Sequence, residues 1–459
     1  MRSENECYTI EYEYFIEKRG KIFPVVSDDS SPRPKNGELL FIAWVRPAPE
    51  GSKFSITIPE EHDGQPVSAA AILFEKQTAM PKDGYGIPQL EYLYISSNVR
   101  HIHIDTSISR RYETLGAVEE IVNILNECTA EISPGNPYLC VCDHGIYSKD
   151  MTELFYILSP DELFEVPMGV KTIGDGAGCS LKGMKKLVIP ESVTVIKKNT
   201  FELCLDLEYA DISAQTIESH AFMSCIRLAS VCIRGCKTIY EGAFEYCHKL
   251  ETAELFEPGT ISNIAFFNCS SLKRIDLYLK EDAAPFRLYG RPAEEGTLLA
   301  VRSYDTKEVL FELVVFEGIE NIFTENGFDL PLYDRILKNK ISKKRKNSRQ
   351  YVLNITLLRL LNGSQDVLFD GALARLRYPR QLDENIQAIF ESYAAEQAEE
   401  KLKNMITEPS NDAHTIASHS YLELIDNDGI LRLIDASAQA GRTELTAELM
   451  QRLHERKEG

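Results

Sequence analysis

Between Met184 and Leu277 the apolar residues recur in register. Leu187 and Ile189 are followed by Ile196 and Phe201. Leu207, Ala210 and Ile212 lead to Ile217, Phe222 and Cys225. Leu228, Val231 and Ile233 lead to Ile239, Phe244 and Cys247, and Leu250, Ala253 and Leu255 to Ile261, Phe266 and Cys269. Leu272, Ile275 and Leu277 open one more turn. Phe201, Phe222, Phe244 and Phe266 stand 21, 22 and 22 residues apart, and Cys204, Cys225, Cys247 and Cys269 keep the same steps. A fixed period near 22 with apolar residues at matched phases predicts a stacked solenoid. The first apolar group of each period reads as a short strand with its apolar side chains inward, and the later Ile and Phe as the return side. One winding cannot build a core alone, so the coils must stack and share strand hydrogen bonds.

The rest of the chain divides around this array. Residues 1–52 read as an N-terminal β cap. There Tyr8-Thr-Ile10-Glu-Tyr12-Glu-Tyr14 alternates like a half-buried strand, Ser27 to Gly37 is a turn-rich loop and Leu39 to Trp44 a buried strand. Residues 53–165 read as degenerate repeats: Leu90-Glu-Tyr-Leu93-Tyr-Ile95 keeps the phase, Glu119 to Ile132 loses it, and Tyr138 to Ile157 is a hairpin insertion. Residues 166–280 hold the regular coils, although Gly178 stands where Phe is expected and Leu181 where Cys is, so that coil is either thinner or filled from a neighbour. Residues 281–325 give a hairpin from Leu298 to Leu313, turned at Asp305-Thr-Lys, and a closing coil from Val315 to Phe323. From 326 to 459 the period becomes helical: Ile386, Ile389, Phe390 and Tyr393 share a face that Leu402, Met405 and Ile406 continue. Asn362-Gly363 and Gly441 are helix stops, and Thr443 an N-cap. The fold class is therefore mixed α+β: a β-solenoid with hairpin insertions, then an all-helical C-terminal domain.

The repeat resembles the BspA-like leucine-rich repeats, whose pattern runs (I/V)-P-x-x-(V/I)-x-x-I-x-x-x-A-F-x-x-C-x-x-L. Ile189-Pro190-Glu-Ser-Val193-Thr-Val-Ile196 leads here to Thr200-Phe201-Glu-Leu-Cys204-Leu-Asp-Leu207, and Ala221-Phe222, Ala243-Phe244 and Ala265-Phe266 match in the next coils. The resemblance implies a binding scaffold, often on bacterial or protist surfaces, without catalytic residues. Ser148-Lys-Asp150-Met-Thr152-Glu-Leu154 is similar to a hairpin this family carries between coils, with its usual Asp-Gly pair split as Asp143-His144-Gly145. Ala436 to Leu453 looks like an ankyrin-type helix pair. Ala372 to Arg452 resembles the helical tail of some gut-bacterial members.

Charge and cysteine content narrow the function. The net charge of −20, from 70 acids against 50 bases, opposes generic nucleic-acid binding and favours basic partners. The N-terminus has neither a basic n-region nor an apolar h-region, and the longest apolar run, Leu39 to Val45, is far too short to span a membrane. The expectation is a cytoplasmic protein with a protein partner, and no nucleic acid or membrane; export to the cell surface is the alternative. The 11 cysteines are an odd count, and the repeat cysteines read as reduced core thiols.

Repeat proteins generally bind through the outward residues of their strand ladder. Here those are Lys186 and Val188, Tyr209 and Asp211, Ser230 and Cys232, Thr252 and Glu254, and Arg274 and Asp276. Tyr209 and Arg274 are the residue types that make hot spots. His101-Ile-His103-Ile-Asp105 puts three metal-ligand types on one strand face, yet residues two apart on a strand lie about 6.6 Å apart, which strains a shared site. Cys140-Val-Cys142-Asp-His144 is C-x-C with no second pair at finger-like spacing, and its place in a hairpin favours a structural role. Neither is taken as a metal site, and no cofactor is expected. Lys338 to Arg349 carries seven bases in twelve residues and reads as a linker, or as docking on the chain's own acidic surface. No G-x-S-x-G, P-loop or G-x-G-x-x-G occurs, so no catalytic residue is assigned and the expectation is a non-enzyme. A metal-dependent hydrolase at His101, His103 and Asp105 is the remaining alternative.

Overall fold

The computed structural model describes residues 3–4, 7–18, 21–24, 38–49, 51–74, 85–105, 107–111, 118–262, 264–280, 287–288, 293, 296–315, 323–324, 327–328, 330–347, 367–408 and 410–458. The chain forms two compact units: Met1–Leu272 with Leu288–Glu294, and Lys273–Arg287 with Glu295–Gly459.

In the first unit the expected coils stack as parallel strands in two rows. One row runs Leu163–Glu165, Lys186–Ile189, Tyr209–Ile212, Ser230–Arg234, Thr252–Phe256. The other is made of two-residue strands, from Thr172–Ile173 through Val195–Ile196, Thr216–Ile217 and Thr238–Ile239 to Thr260–Ile261. Between the rows lie columns of equivalent side chains. Successive rings of Phe201, Phe222, Phe244 and Phe266 stack with centroids 5.2, 5.0 and 5.1 Å apart, and all four are fully buried. The strand spacing of about 4.8 Å dictates that step. Cys204, Cys225, Cys247 and Cys269 form a second column. Each thiol donates to a backbone carbonyl of an earlier coil: Gly178, Phe201, Phe222 and Phe244, at 3.0–3.3 Å. Burial pushes the Cys204, Cys225 and Cys247 thiols well above their ordinary range.

The irregular coil at Gly178 is filled from its neighbours. A Cβ there would lie 3.0 Å from Phe201 and 3.1 Å from both Ile157 and Leu181. Each coil also carries two turn residues with left-handed backbone. One set is Gly176, Asn199, His220, Gly242 and Ile264; the other is Ser180, Leu203, Ser224, Tyr246 and Asn268. Most are not glycine, a costly choice for L-residues. The next coil holds the turn in place: Phe201 and Leu203 donate their N–H groups to the carbonyls of Ala221 and Met223, and Phe222 and Ser224 to those of Ala243 and Glu245, at 2.7–2.8 Å.

Parallel pairing extends further towards the N-terminus than the repeat phase suggests. Lys53–Ile58 pairs with Gln89–Ile95, which pairs with Thr129–Ile132. The register is therefore regained by Thr129, inside the stretch where the sequence pattern loses it, because backbone pairing there does not need the repeat's apolar side chains. Ser107–Arg111 and Val118–Asn123 form an antiparallel hairpin before it. Tyr8–Lys18 pairs antiparallel with Leu39–Val45, which pairs parallel with Gln65–Phe74. The expected loop from Ser27 to Gly37 lies outside the described residues.

The expected hairpin at Tyr138 to Ile157 is three antiparallel strands, Leu139–Cys142, Gly145–Ser148 and Glu153–Ile157. Its first turn differs from the family pattern without losing geometry. Asp143 and His144 both take positive φ, 37° and 61°, as a two-residue hairpin turn requires. Gly145 serves another purpose: a Cβ there would meet the Tyr147 ring at 2.5 Å.

In the second unit, Arg274–Leu279 pairs parallel with Leu298–Ser303, which turns back antiparallel to Val309–Val314, the hairpin expected from the sequence. The closing coil from Val315 to Phe323 lies mostly outside the described residues, as does Asn362-Gly363. The helices Leu330–Asn347, Val367–Arg377, Glu384–Thr407, Ala413–Ala417, Asn427–Gln439 and Thr443–Glu458 follow. Asp383, Asp412 and Asp426 cap three of them by accepting backbone N–H bonds. The last two helices form a pair, with Gly441 left-handed (φ 70°) between them.

The basic stretch from Lys338 is not a linker. Through Asn347 it is the second half of a helix whose other face buries Leu330, Tyr333, Leu337 and Ile341. On that amphipathic helix Lys343 is exposed and Lys338 and Lys340 are half-buried. Asp334, on the same helix, is buried against Arg375, with contacts of 2.6 and 3.0 Å.

Candidate functional site

In the first unit the ladder face is built by register. Lys186, Tyr209, Ser230 and Thr252 are direct neighbours across successive strands, and so are Val188, Asp211, Cys232 and Glu254. Lys186, Thr252 and Glu254 are exposed; Val188, Tyr209, Asp211 and Ser230 are half-buried. Cys232, expected on the open face, is buried, with 3% exposure. Cys232 lies directly between Asp211 and Glu254 on the neighbouring strands, and Arg234, two residues along its own strand, reaches the Asp211 carboxylate. Arg234 also lies over the Phe256 ring, 5.6 Å from its centroid. Burial pushes the Cys232 thiol up to about 11; Arg234 opposes the shift, and Asp211 and Glu254 add to it. That thiol is protonated at neutral pH and is no nucleophile. Burial, then Asp211, raises the Tyr209 phenol, which stays neutral as well.

Arg274 and Asp276 belong to the second unit and are committed to each other. The Arg274 Nε contacts both Asp276 oxygens at 3.0 and 2.9 Å, and its Nη1 reaches Glu312 at 3.4 Å. Arg302 donates to Asp276 at 2.5 Å, and Arg377 to Glu312 at 3.2 Å. Asp276 and Glu312 are 7% and 2% exposed. Buried carboxylates require such partners, so Arg274 is a structural cation here and not an available hot spot. No sequence period marks this network, because its members come from strands and a helix far apart in the chain.

His103 and Asp105 approach to 3.4 Å, but Asp105 also accepts the Phe74 amide. Among the described residues, no three His, Cys, Asp or Glu side chains group so as to hold a metal ion. In the helical tail a cleft of 380 Å³ is lined by His414, Ser418, Glu448 and Arg452. Its His414 stands 3.9 Å from Glu448 and is almost fully exposed, and Arg452 is bonded to the Ala417 carbonyl.

The period, the paired rows and the stacked columns together define one kind of coil. A family described as the BspA type leucine rich repeat region matches residues 152–277, in 6 copies. Residues 152–277 are BspA-type leucine-rich repeats. Several solved structures are similar to the chain. One, from Eubacterium ventriosum, is 16% identical over 52% of this chain and 68% of that one, with a TM-score of 0.32. The pneumococcal vaccine antigen PcpA is 16% identical over 64% and 95%, with a TM-score of 0.31. A leucine-rich cell-surface protein from Faecalibacterium prausnitzii is 18% identical over 61% and 96%, with a TM-score of 0.31. No curated protein matches the chain. Among the described residues no helix is long and apolar enough to cross a membrane.

Proposed function

We propose that the chain is a non-catalytic scaffold that binds a protein through the outward ladder of its leucine-rich repeats. The supporting observation is the pair of in-register rows from Lys186 to Glu254. Parallel pairing fixes their side chains at strand spacing before any partner arrives, so little ordering entropy opposes binding. Tyr209 is the anchor, a half-buried ring whose neighbours Lys186, Asp211 and Glu254 supply charge. The acids of this face and the net charge of −20 select a partner surface with basic groups.

The test is affinity capture with the full chain, comparing wild type with Tyr209→Ala and Glu254→Lys. Both variants should keep the wild-type circular dichroism and lose the captured protein. Capture of the same protein at the same yield by both would remove the ladder face from consideration. The working location is the cytoplasm, with the cell surface as the alternative. Fractionation of the native host separates them, since recovery of the protein in the surface fraction alone would replace the cytoplasmic reading with an adhesin.

A further inference from the structure

The helix Leu330–Asn347 carries more charge than its packing uses. Its 18 residues hold seven bases, between Arg335 and Lys346, and one acid, Asp334. The helix is therefore +6 by formal count, seven bases less one acid, and the rest of the chain is −26, since the whole is −20. Asp334 is buried and paired with Arg375. Leu330, Tyr333, Leu337 and Ile341 fix the apolar face inward. On the other side Arg335 and Lys343 are exposed and Lys338 is half-buried. Among the described residues these three form no hydrogen bond or ion pair.

The ordinary structural uses of such charge do not account for them. The helix dipole favours cations in the last turn, which covers residues 344–347 but not Arg335, Lys338 or Lys343. A carboxylate four residues before a lysine supports a helix, but the one at that spacing, Asp334 before Lys338, is held by Arg375. Solubility is not served either. In a chain of net charge −20, added bases lower the charge that keeps copies apart.

We propose that the outer face of this helix docks an acidic protein segment, extended and rich in Asp and Glu, with Arg335, Lys338 and Lys343 pairing its carboxylates. At about 1.5 Å per residue the helix offers a face about 27 Å long, which about eight residues of extended peptide cover. Arg335 can take a carboxylate through two parallel N–H bonds, and the lysines act as point charges. Charge complementarity also selects the class of partner. At physiological salt the attraction reaches about 8 Å, so a short acidic segment lying on the helix feels chiefly the helix. A nucleic-acid duplex is stiff and carries charge past the helix, against a chain that is −26 elsewhere. This surface uses no residue of the repeat ladder and stands or falls independently of it.

The test is fluorescence anisotropy of a labelled octaglutamate peptide titrated with the full chain. Wild type should bind it at low salt and release it as salt rises. Arg335→Gln/Lys338→Gln/Lys343→Gln should keep the helical circular dichroism and weaken binding about tenfold, the loss of three exposed ion pairs. Absence of binding by wild type at low salt, or equal affinity in wild type and the triple variant, overturns the proposal. Should the triple variant misfold, Arg335→Gln/Lys343→Gln, which alters exposed side chains alone, decides, and an unchanged affinity there overturns it too. A short DNA duplex that binds more tightly than octaglutamate, and loses that affinity in the same variant, would overturn the choice of a protein partner.

Discussion

The repeat coils and the C-terminal unit bury their interiors by opposite means. From Met184 to Leu272 the interior is a set of identical apolar columns, and the polar backbone is satisfied by neighbouring coils. In the C-terminal unit the interior holds charges: Arg375 and Asp334 are 0% and 1% exposed, and Glu312 is 2% exposed between Arg274 and Arg377. Columns distribute stability evenly over many equal contacts. Buried ion pairs concentrate it, since removing one partner strands the other in a medium that cannot solvate it.

That contrast can be broken at its strongest points first. Phe222→Ala removes a ring stacked on both sides and should destabilise the first unit by about 3–5 kcal/mol. Fluorescence of Trp44, the single tryptophan and a residue of that unit, reports the loss in denaturant unfolding. A cost under about 1 kcal/mol would mean the column does not carry the coils. Arg375→Met should destabilise the C-terminal unit by a similar or slightly smaller amount, about 3–4 kcal/mol, seen in the helical circular dichroism signal. Adding Asp334→Leu to it should recover most of that loss, because the stranded carboxylate goes with its partner; no recovery would mean that Arg375 acts through its bonds to the Tyr378 and Arg380 carbonyls instead.

A smaller effect is expected from pH. Hydrogen bonds from Arg432, with Lys403 assisting against partial burial, hold the Glu399 carboxyl down at about 2 rather than the usual 4.5. A depressed acid stabilises the fold above its unfolded value, and that contribution is lost as pH falls from about 4.5 towards about 2. Arg432 is half exposed, so solvent screening keeps the effect near 0.5–1 kcal/mol. Glu399→Gln should show that gap to wild type at pH 6, narrow it below about pH 4.5 and close it only as pH nears about 2; a gap independent of pH would refute the linkage. The smallest change is a gain. Ile264 is β-branched and left-handed, with φ 53°. Asn tolerates that conformation, so Ile264→Asn should raise stability by about 0.5–1 kcal/mol in the same Trp44 assay. A loss would show that its packing outweighs its strain.

The same contrast explains what the sequence made legible. Phe201, Phe222, Phe244 and Phe266 recur at one phase because each meets the same environment, so their stacking could be read from spacing. The left-handed turns at Leu203 and Tyr246 could not, since the next coil holds them through its Met223 and Phe267 carbonyls and leaves the residue type free. Nor could the burial of Cys232 between Asp211 and Glu254, or the pairing of Arg375 with Asp334, 41 residues apart. Alternation placed Val188, Asp211 and Glu254 on the outer face, but alternation says nothing of which long side chain folds over its neighbour. At the hairpin, Gly145 was expected to belong to the turn, while its real constraint is the Tyr147 ring above it.

The turn bonds passed from each coil to its successor have a consequence for how such a protein changes length. Every winding is the mould for the one before it, and all moulds are alike. Deleting or duplicating a whole period of about 22 residues therefore returns each remaining turn to an equivalent template, whereas an insertion of half a period leaves a bend with nothing to shape it. Growth by complete copies is the cheap route, and the ladder can lengthen without redesign of any single part.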